Sequence, residues 1–170
     1  MQKRLRTNAF LTKAMDDFGD TVYGLALCRL GARADAEDVF QEVFLRLLCD
    51  ETDFTDEEHL KSWLLRVTIS RCTDLRRSAW FRRTIPMEAI PETAAPIHRS
   101  YDALWQAVGA LPSQLREAVY LYYAEGYRTD EIAQLLDCNP ATVRTRLHRA
   151  RKRLKLDLEG EQYEIYESTQ

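Results

Sequence analysis

Apolar residues along this chain recur at helical spacing, and no segment shows the strict alternation of a strand. Met15, Phe18, Val22 and Leu25 lie three or four residues apart, and Leu30 carries the run to Gly31, a natural helix stop. A second helix is predicted from Asp35, a residue suited to an N-cap. Its apolar residues Ala36, Val39, Phe40, Val43, Phe44, Leu47 and Leu48 repeat with alternating steps of three and one, which lines one face. A polar stretch over 50–54 reads as a loop. Thr55, Asp56, Glu57 and Glu58 then read as a capping box, opening a third helix through Leu60, Trp63, Leu64, Val67 and Leu75.

Periodicity is lost over 82–100, where Pro86, Pro91 and Pro96 fall five residues apart. This predicts a flexible, proline-spaced linker between two helical units. Tyr101, Leu104, Trp105 and Val108 begin the second unit, and Leu111-Pro112-Ser113 marks a turn into the next helix. Leu115, Ala118, Val119 and Tyr122 follow, and Gly126 ends that helix. Thr129 is placed to cap a short helix holding Ile132, Ala133, Leu135 and Leu136. Asn139 is placed to cap the last helix, with Pro140 at its first position. The expected fold class is all-α: two small helical domains over 1–81 and 101–157, with an acidic tail over 158–170.

Charge changes this picture locally. The net charge of −3 over 170 residues argues against a uniformly basic surface. Yet residues 144–155 hold Arg144, Arg146, Arg149, Arg151, Lys152, Arg153 and Lys155 with no acid, and 71–83 hold five arginines against Asp74. The tail from Asp157 carries five acids and no base. A chain that is 45% hydrophobic and 30% charged suits a folded globule. No apolar run reaches the ~18 residues of a membrane span. The basic N-terminus has no apolar stretch behind it, so the expected compartment is the cytoplasm. Cys28, Cys49, Cys72 and Cys138 lack metal-ligand spacing and read as free thiols. No glycine-rich phosphate loop, nucleophile elbow or histidine–carboxylate motif is present, so no enzyme, metal or cofactor is expected.

The last helix, 139–155, carries the clearest candidate chemistry. At about 100° per residue Val143, Leu147, Ala150 and Leu154 share one face. Ala133 is small enough to let the preceding helix cross closely. Ala141, Thr145, His148, Arg149 and Lys152 lie opposite, flanked by Arg144 and Arg146. Together with the turn Asp137-Cys138-Asn139 this is a helix-turn-helix. Its second helix enters a major groove, where arginine bonds guanine and threonine meets a thymine methyl. The later cations Arg151, Lys152, Arg153 and Lys155 suit phosphates, which add affinity without reading sequence.

The residues from Leu111-Pro112-Ser113-Gln114 through Glu131-Ile132-Ala133 to the run 142–154 resemble region 4 of a bacterial sigma factor. Asp35 to Arg46 resembles region 2.2, and the stretch from His59 through Trp63 to Asp74-Leu75-Arg76-Arg77 resembles regions 2.3 and 2.4. With only a short linker between them, the layout is similar to the extracytoplasmic-function (ECF) group of the sigma-70 family. The resemblance implies a non-catalytic subunit that binds core RNA polymerase and directs promoter recognition, promoter melting and transcription initiation. It implies that Asp35, Glu37, Asp38, Gln41, Glu42 and Arg46 dock on the β′ clamp coiled coil, with further contact to the β subunit. It also implies that Ser70, Arg71, Asp74, Arg76 and Arg77 meet the downstream element of promoter DNA. Arg144, Thr145, Arg146, His148, Arg149 and Lys152 would meet the upstream element. An anti-sigma factor is an expected partner. Ser70 stands where many relatives carry asparagine, and Asp137 where they carry glycine. Trp63 reads as core rather than as a base wedge. Phe54 and His59 are secondary candidates for a flipped base, because the acidic loop around them disfavours phosphate. Two alternatives stay open at this level: a dimeric helix-turn-helix regulator, which binds a palindrome by itself, and a helical interaction module that does not need Arg144, Thr145 and Arg149.

Overall fold

Helix α1, Asn8–Leu30, starts a full two turns before the first predicted apolar position. Thr7 caps it, its hydroxyl oxygen accepting from the Phe10 N–H at 3.2 Å. Gly31 ends it as expected, at φ 75 and with its N–H on the Leu27 carbonyl at 2.8 Å. The computed structural model describes residues 5–82 and 102–167, and their side chains except at 79–82, 102, 103, 105 and 156–167.

Helix α2 spans Arg33–Cys49 and helix α3 Glu57–Arg82. Both predicted caps shift by a residue or more. Ala32 precedes α2 and supplies no side-chain cap, so Asp35 lies inside the first turn, where its charge meets the positive end of the helix dipole. At α3 the carboxylate of Asp56, not Thr55, accepts from the His59 N–H at 2.7 Å. Thr55 instead donates its N–H to Nδ1 of His59 at 3.2 Å.

The three helices pack on one another around Val22, Ala26, Ala36, Val39, Val43, Leu47, Leu60, Leu64 and Cys72, all buried. The alternating stripe of α2 accounts for most of its contribution. Trp63 packs on this core and meets the Phe54 ring edge-on at 5.8 Å, consistent with a core role.

The described residues beyond Thr93 form a second compact unit. Helix α4 is Asp102–Ala110 and α5 is Ser113–Val119. The chain continues as a π-helical turn, Tyr120–Ala124, which the sequence pattern did not reveal. Its wider winding puts the Glu125 N–H on the Tyr120 carbonyl at 3.2 Å and the Tyr127 N–H on the Leu121 carbonyl at 3.0 Å. Gly126, at φ 73, permits that exit. Helix α6 is Thr129–Leu136. Thr129 is its first residue rather than its cap; the Arg128 N–H is taken up by the Glu131 carboxylate at 2.8 Å.

Helix α7 runs Pro140–Glu167, well past the predicted end at Lys155. Asn139 caps it as expected, its side-chain oxygen accepting from the Ala141 N–H at 3.0 Å. The predicted linker over 83–100 and the side chains of the acidic tail lie outside the described residues.

Asp137 joins α6 to α7 in the left-handed region, φ 51 and ψ 52, with the Cys138 N–H on the Ala133 carbonyl at 3.0 Å. This closes the turn as a glycine would, but with a Cβ in a conformation that disfavours one. Asp137→Gly is expected to stabilise the second unit by about 0.5–1 kcal/mol, since relief of that strain outweighs the added freedom of the unfolded chain. Urea unfolding measures it. A lower midpoint would show that the Asp137 side chain supports the turn.

Candidate nucleic-acid interface

The outer face of α7 is built by the burial of its inner face. Val143, Leu147 and Ala150 are fully packed against α5 and α6. Helical geometry then leaves Ala141, Arg144, Thr145, His148, Arg149 and Lys152 exposed. Five of the six predicted upstream-element residues therefore share one accessible surface. The Thr145 hydroxyl donates to the Ala141 carbonyl at 2.9 Å. Its single proton is thus committed, and it meets a ligand as an acceptor or through its methyl.

Arg146 behaves differently. Its guanidinium turns inward to the Glu117 carboxylate of α5 at 3.6 Å, with only 19% and 7% of the two side chains exposed. That position ties α7 to α5 and leaves Arg146 at the margin of the exposed surface. Arg151 is also held: its Nε donates to the Tyr123 hydroxyl at 2.7 Å, and its guanidinium lies 5.7 Å from the Tyr122 and Tyr123 ring centres. The π-helical turn carries both tyrosines, so that irregularity orients a cation of the basic helix.

A shallow concavity of about 340 Å³ opens between the first turns of α5 and α7, lined in part by Gln114, Ala141, Thr145 and Arg149. Gln114 was not singled out from the sequence. Its only signal is its place at the start of α5, and only packing of α5 on α7 brings it beside Thr145.

In the first unit, Ser70, Asp74 and Arg77 are exposed along one side of α3, and Arg66 extends that line by one turn. Arg76 is exposed beside it, while Arg71 is half-buried and pairs with Asp74 at 3.7 Å. On α2, Glu37, Asp38, Gln41, Glu42 and Arg46 are exposed, with Asp35 half-buried. Leu45 lies among them with 62% of its surface exposed. It falls outside the apolar stripe of α2, which was the one sequence sign that it faces outward.

Phe54 and His59 are both engaged within the fold. Their rings meet edge-on at 5.3 Å, and both are half-buried. Among the described residues no group of His, Cys, Asp or Glu is placed to hold a metal, and no helix is long and apolar enough to cross a membrane.

Two family models match this chain: sigma-70 region 2 over residues 15–82 and sigma-70 region 4 over residues 101–154. It is 28% identical to the RNA polymerase sigma factor SigV of Bacillus subtilis, over 95% of this chain and 98% of SigV. It is 30% identical to the ECF RNA polymerase sigma factor SigL of Mycobacterium tuberculosis, over 89% of this chain and 90% of SigL. Its fold resembles that of the sigma factor RpoE of Bartonella quintana, solved in complex with the anti-sigma factor NepR, with a TM-score of 0.68 at 21% identity. The match covers 90% of this chain and 98% of that one.

Proposed function

Because the chain belongs to the ECF group of the sigma-70 family, we propose that its two units divide promoter recognition between them. The protein is an RNA polymerase sigma factor that binds core polymerase and directs promoter recognition, melting and initiation. The observation that carries this reading is the presence of both family regions, in order, in a chain that spans 98% of SigV and 90% of SigL.

In this reading α7 enters the major groove of the upstream element. Arg144, Thr145, His148 and Arg149 lie nearest the bases, and Lys152 with the later cations lies on phosphates. Arg146 supports the helix from behind through Glu117, and Gln114 joins the surface from α5. The exposed side of α3, with Ser70, Asp74, Arg76 and Arg77, meets the downstream element as it opens, and Arg71 orients Asp74. The exposed face of α2 docks on the β′ clamp coiled coil, and the β subunit makes further contact. The chain acts as a non-catalytic specificity subunit in the cytoplasm. Like RpoE, which was solved with NepR, it has an anti-sigma partner.

Transcription in vitro with purified core polymerase on fragmented genomic DNA, followed by start-site sequencing, tests the reading. Starts preceded by two spaced, non-palindromic elements are expected, with feeble DNA binding by the chain alone. Tight binding of a palindrome without polymerase would instead identify a dimeric regulator. On a promoter so defined, Arg149→Ala is expected to lower transcription about tenfold to a hundredfold, the worth of one bidentate base contact. Competition for core polymerase should not change. Equal loss of both activities would count against the division of labour between the units.

A further inference from the structure

The end of α2 is held from outside the helix, by the residues just before α1. Asp50 follows α2 in an extended conformation, and its N–H returns to the Leu47 carbonyl at 3.2 Å. No left-handed residue closes the helix there. The Leu48 carbonyl instead accepts the backbone N–H of Arg6, from a distant part of the chain, at 3.1 Å. The Arg6 guanidinium bonds the Thr52 carbonyl and lies 3.9 Å from the Asp50 carboxylate. It also sits 4.8 Å from the ring centres of both Phe10 and Phe54, whose planes are nearly parallel, at 8°. One cation thus joins the start of α1, the end of α2 and the segment leading into α3.

Packing alone does not account for this cation. Only 18% of the Arg6 side chain is exposed, and its Nε is buried with no acceptor among the described residues. A hydrocarbon would fill that space without desolvating a charge. What the charge meets is Asp50. Burial pushes the Asp50 carboxyl up, but hydrogen bonds from Thr52 and the charges of Arg6 and Arg46 bring it below its ordinary value. Asp50 is therefore an anion throughout the neutral range, with two arginines acting on it.

Those two arginines stand differently. Arg6 is enclosed, whereas Arg46 is exposed in the last turn of α2, next to the exposed Leu45. Arg46 precedes Asp50 by about one helical turn, so its long side chain can either extend from the α2 face or fold back on that carboxylate. We propose that Arg6 is a positioning residue for polymerase docking: by neutralising Asp50 and tying down the end of α2, it leaves Arg46 free on the face that meets the clamp coiled coil. This rests on the assignment of the exposed α2 face to polymerase docking. Without Arg6, the Asp50 anion keeps Arg46 as its cation and draws that side chain off the face. Only 24% of the Asp50 side chain is exposed, so the pull is screened less than between two charges in open water.

The test displaces labelled wild-type chain from core RNA polymerase with unlabelled full-length variants. Arg6→Met keeps the packing volume and the backbone N–H on Leu48 but removes the charge. It is expected to compete about fivefold less well at low salt, the worth of one exposed ion pair. The deficit should shrink as salt screens Asp50 from Arg46. Adding Asp50→Asn to Arg6→Met removes the competing anion, and is expected to restore competition to within about twofold of the wild type. A merely structural role for Arg6 predicts no such rescue. Urea unfolding checks that each variant is folded. Arg6→Gln, which can still donate to the Thr52 carbonyl, takes the place of Arg6→Met if that variant does not fold. Undiminished competition by the uncharged variant overturns the proposal, and so does a deficit that Asp50→Asn leaves in place. An Arg46→Ala chain that competes as well as the wild type would reject the docking assignment beneath it. Failure of the wild-type chain to bind core polymerase would reject the sigma-factor reading itself, and is seen separately in the wild-type arm.

Discussion

Replacing Asp38, Gln41 and Glu42 together by alanine is expected to weaken competition for core RNA polymerase by a hundredfold or more, an estimate of roughly 1 kcal/mol or more for each side chain at a docking surface. All three are exposed on α2, while Ala36, Val39, Val43 and Leu47 on its other side are buried. The helix therefore keeps the residues that fold it, and circular dichroism of the variant should match that of the wild type. Exposed charges on a monomer are worth little to stability, which makes their loss cheap for the fold. Leu45 sharpens the expectation: a large apolar side chain, 62% exposed amid acids and an amide, suits the centre of an interface with a polar rim. The basic outer face of α7, proposed to read the upstream element, lies in the other unit and is untouched by the substitution. Undiminished competition by the triple variant would remove α2 from the polymerase interface.

Glu117→Ala is expected to destabilise the second unit by about 2–4 kcal/mol, with collapse of upstream-element binding. Glu117 is 6% exposed, and Arg146 is its partner at 3.6 Å. Removing one member of a largely buried pair leaves the other charge without compensation, which costs about 3–5 kcal/mol when burial is complete. The remaining exposure of Arg146 places the expectation somewhat below that. Glu117→Gln keeps the shape and an acceptor, so it should lose less. Urea unfolding of the chain and binding of holoenzyme to an upstream duplex measure the two effects, and assembly with core should survive. An unchanged midpoint in Glu117→Ala would show that the pair is expendable. The same reasoning governs Arg146. Its substitution is expected to impair DNA binding by loosening α7 on α5, so lost binding there is no evidence of a base contact.

Much of the architecture was legible because it depends on local pattern. The stripe of α2 needed only its three-and-one spacing. Gly31 and Gly126 mark helix ends because each takes positive φ, and Asn139-Pro140 starts α7 because one side chain can cap and the other cannot donate. Helix starts were less legible. Asp35, Thr55 and Thr129 all have capping chemistry, yet Ala32, Asp56 and Arg128 occupy those positions. Only at Thr55 and Asp56 do two neighbours both offer a cap; at Ala32 no side chain caps at all, so packing of the helix and not cap chemistry fixes its first turn. The first turns of α1 carry only Phe10, Leu11 and Ala14 toward the interior, too short a run to mark a start, and these pack on a core assembled from residues far along the chain. The continuation of α7 to Glu167 escaped for the opposite reason. The apolar stripe fades after Leu154, but no proline intervenes and the residues beyond favour helix.

What the sequence by itself determined is the all-α fold class, the two helical units and the basic outer face of the last helix, because each follows from spacing within a segment, while the family followed from the resemblance of motifs in both units. What only the tertiary structure decided is the direction of side chains at the margins of those faces. Arg146 and Arg149 stand three residues apart on α7; one turns to Glu117 and the other to solvent, because α5 places a carboxylate beside the first. Arg6 is one cation among several near the N-terminus until the fold brings its guanidinium within 4.8 Å of the ring centres of Phe10 and Phe54, which are 44 residues apart in the chain. A buried charge goes where its partner is, and the partner is set by which helices meet.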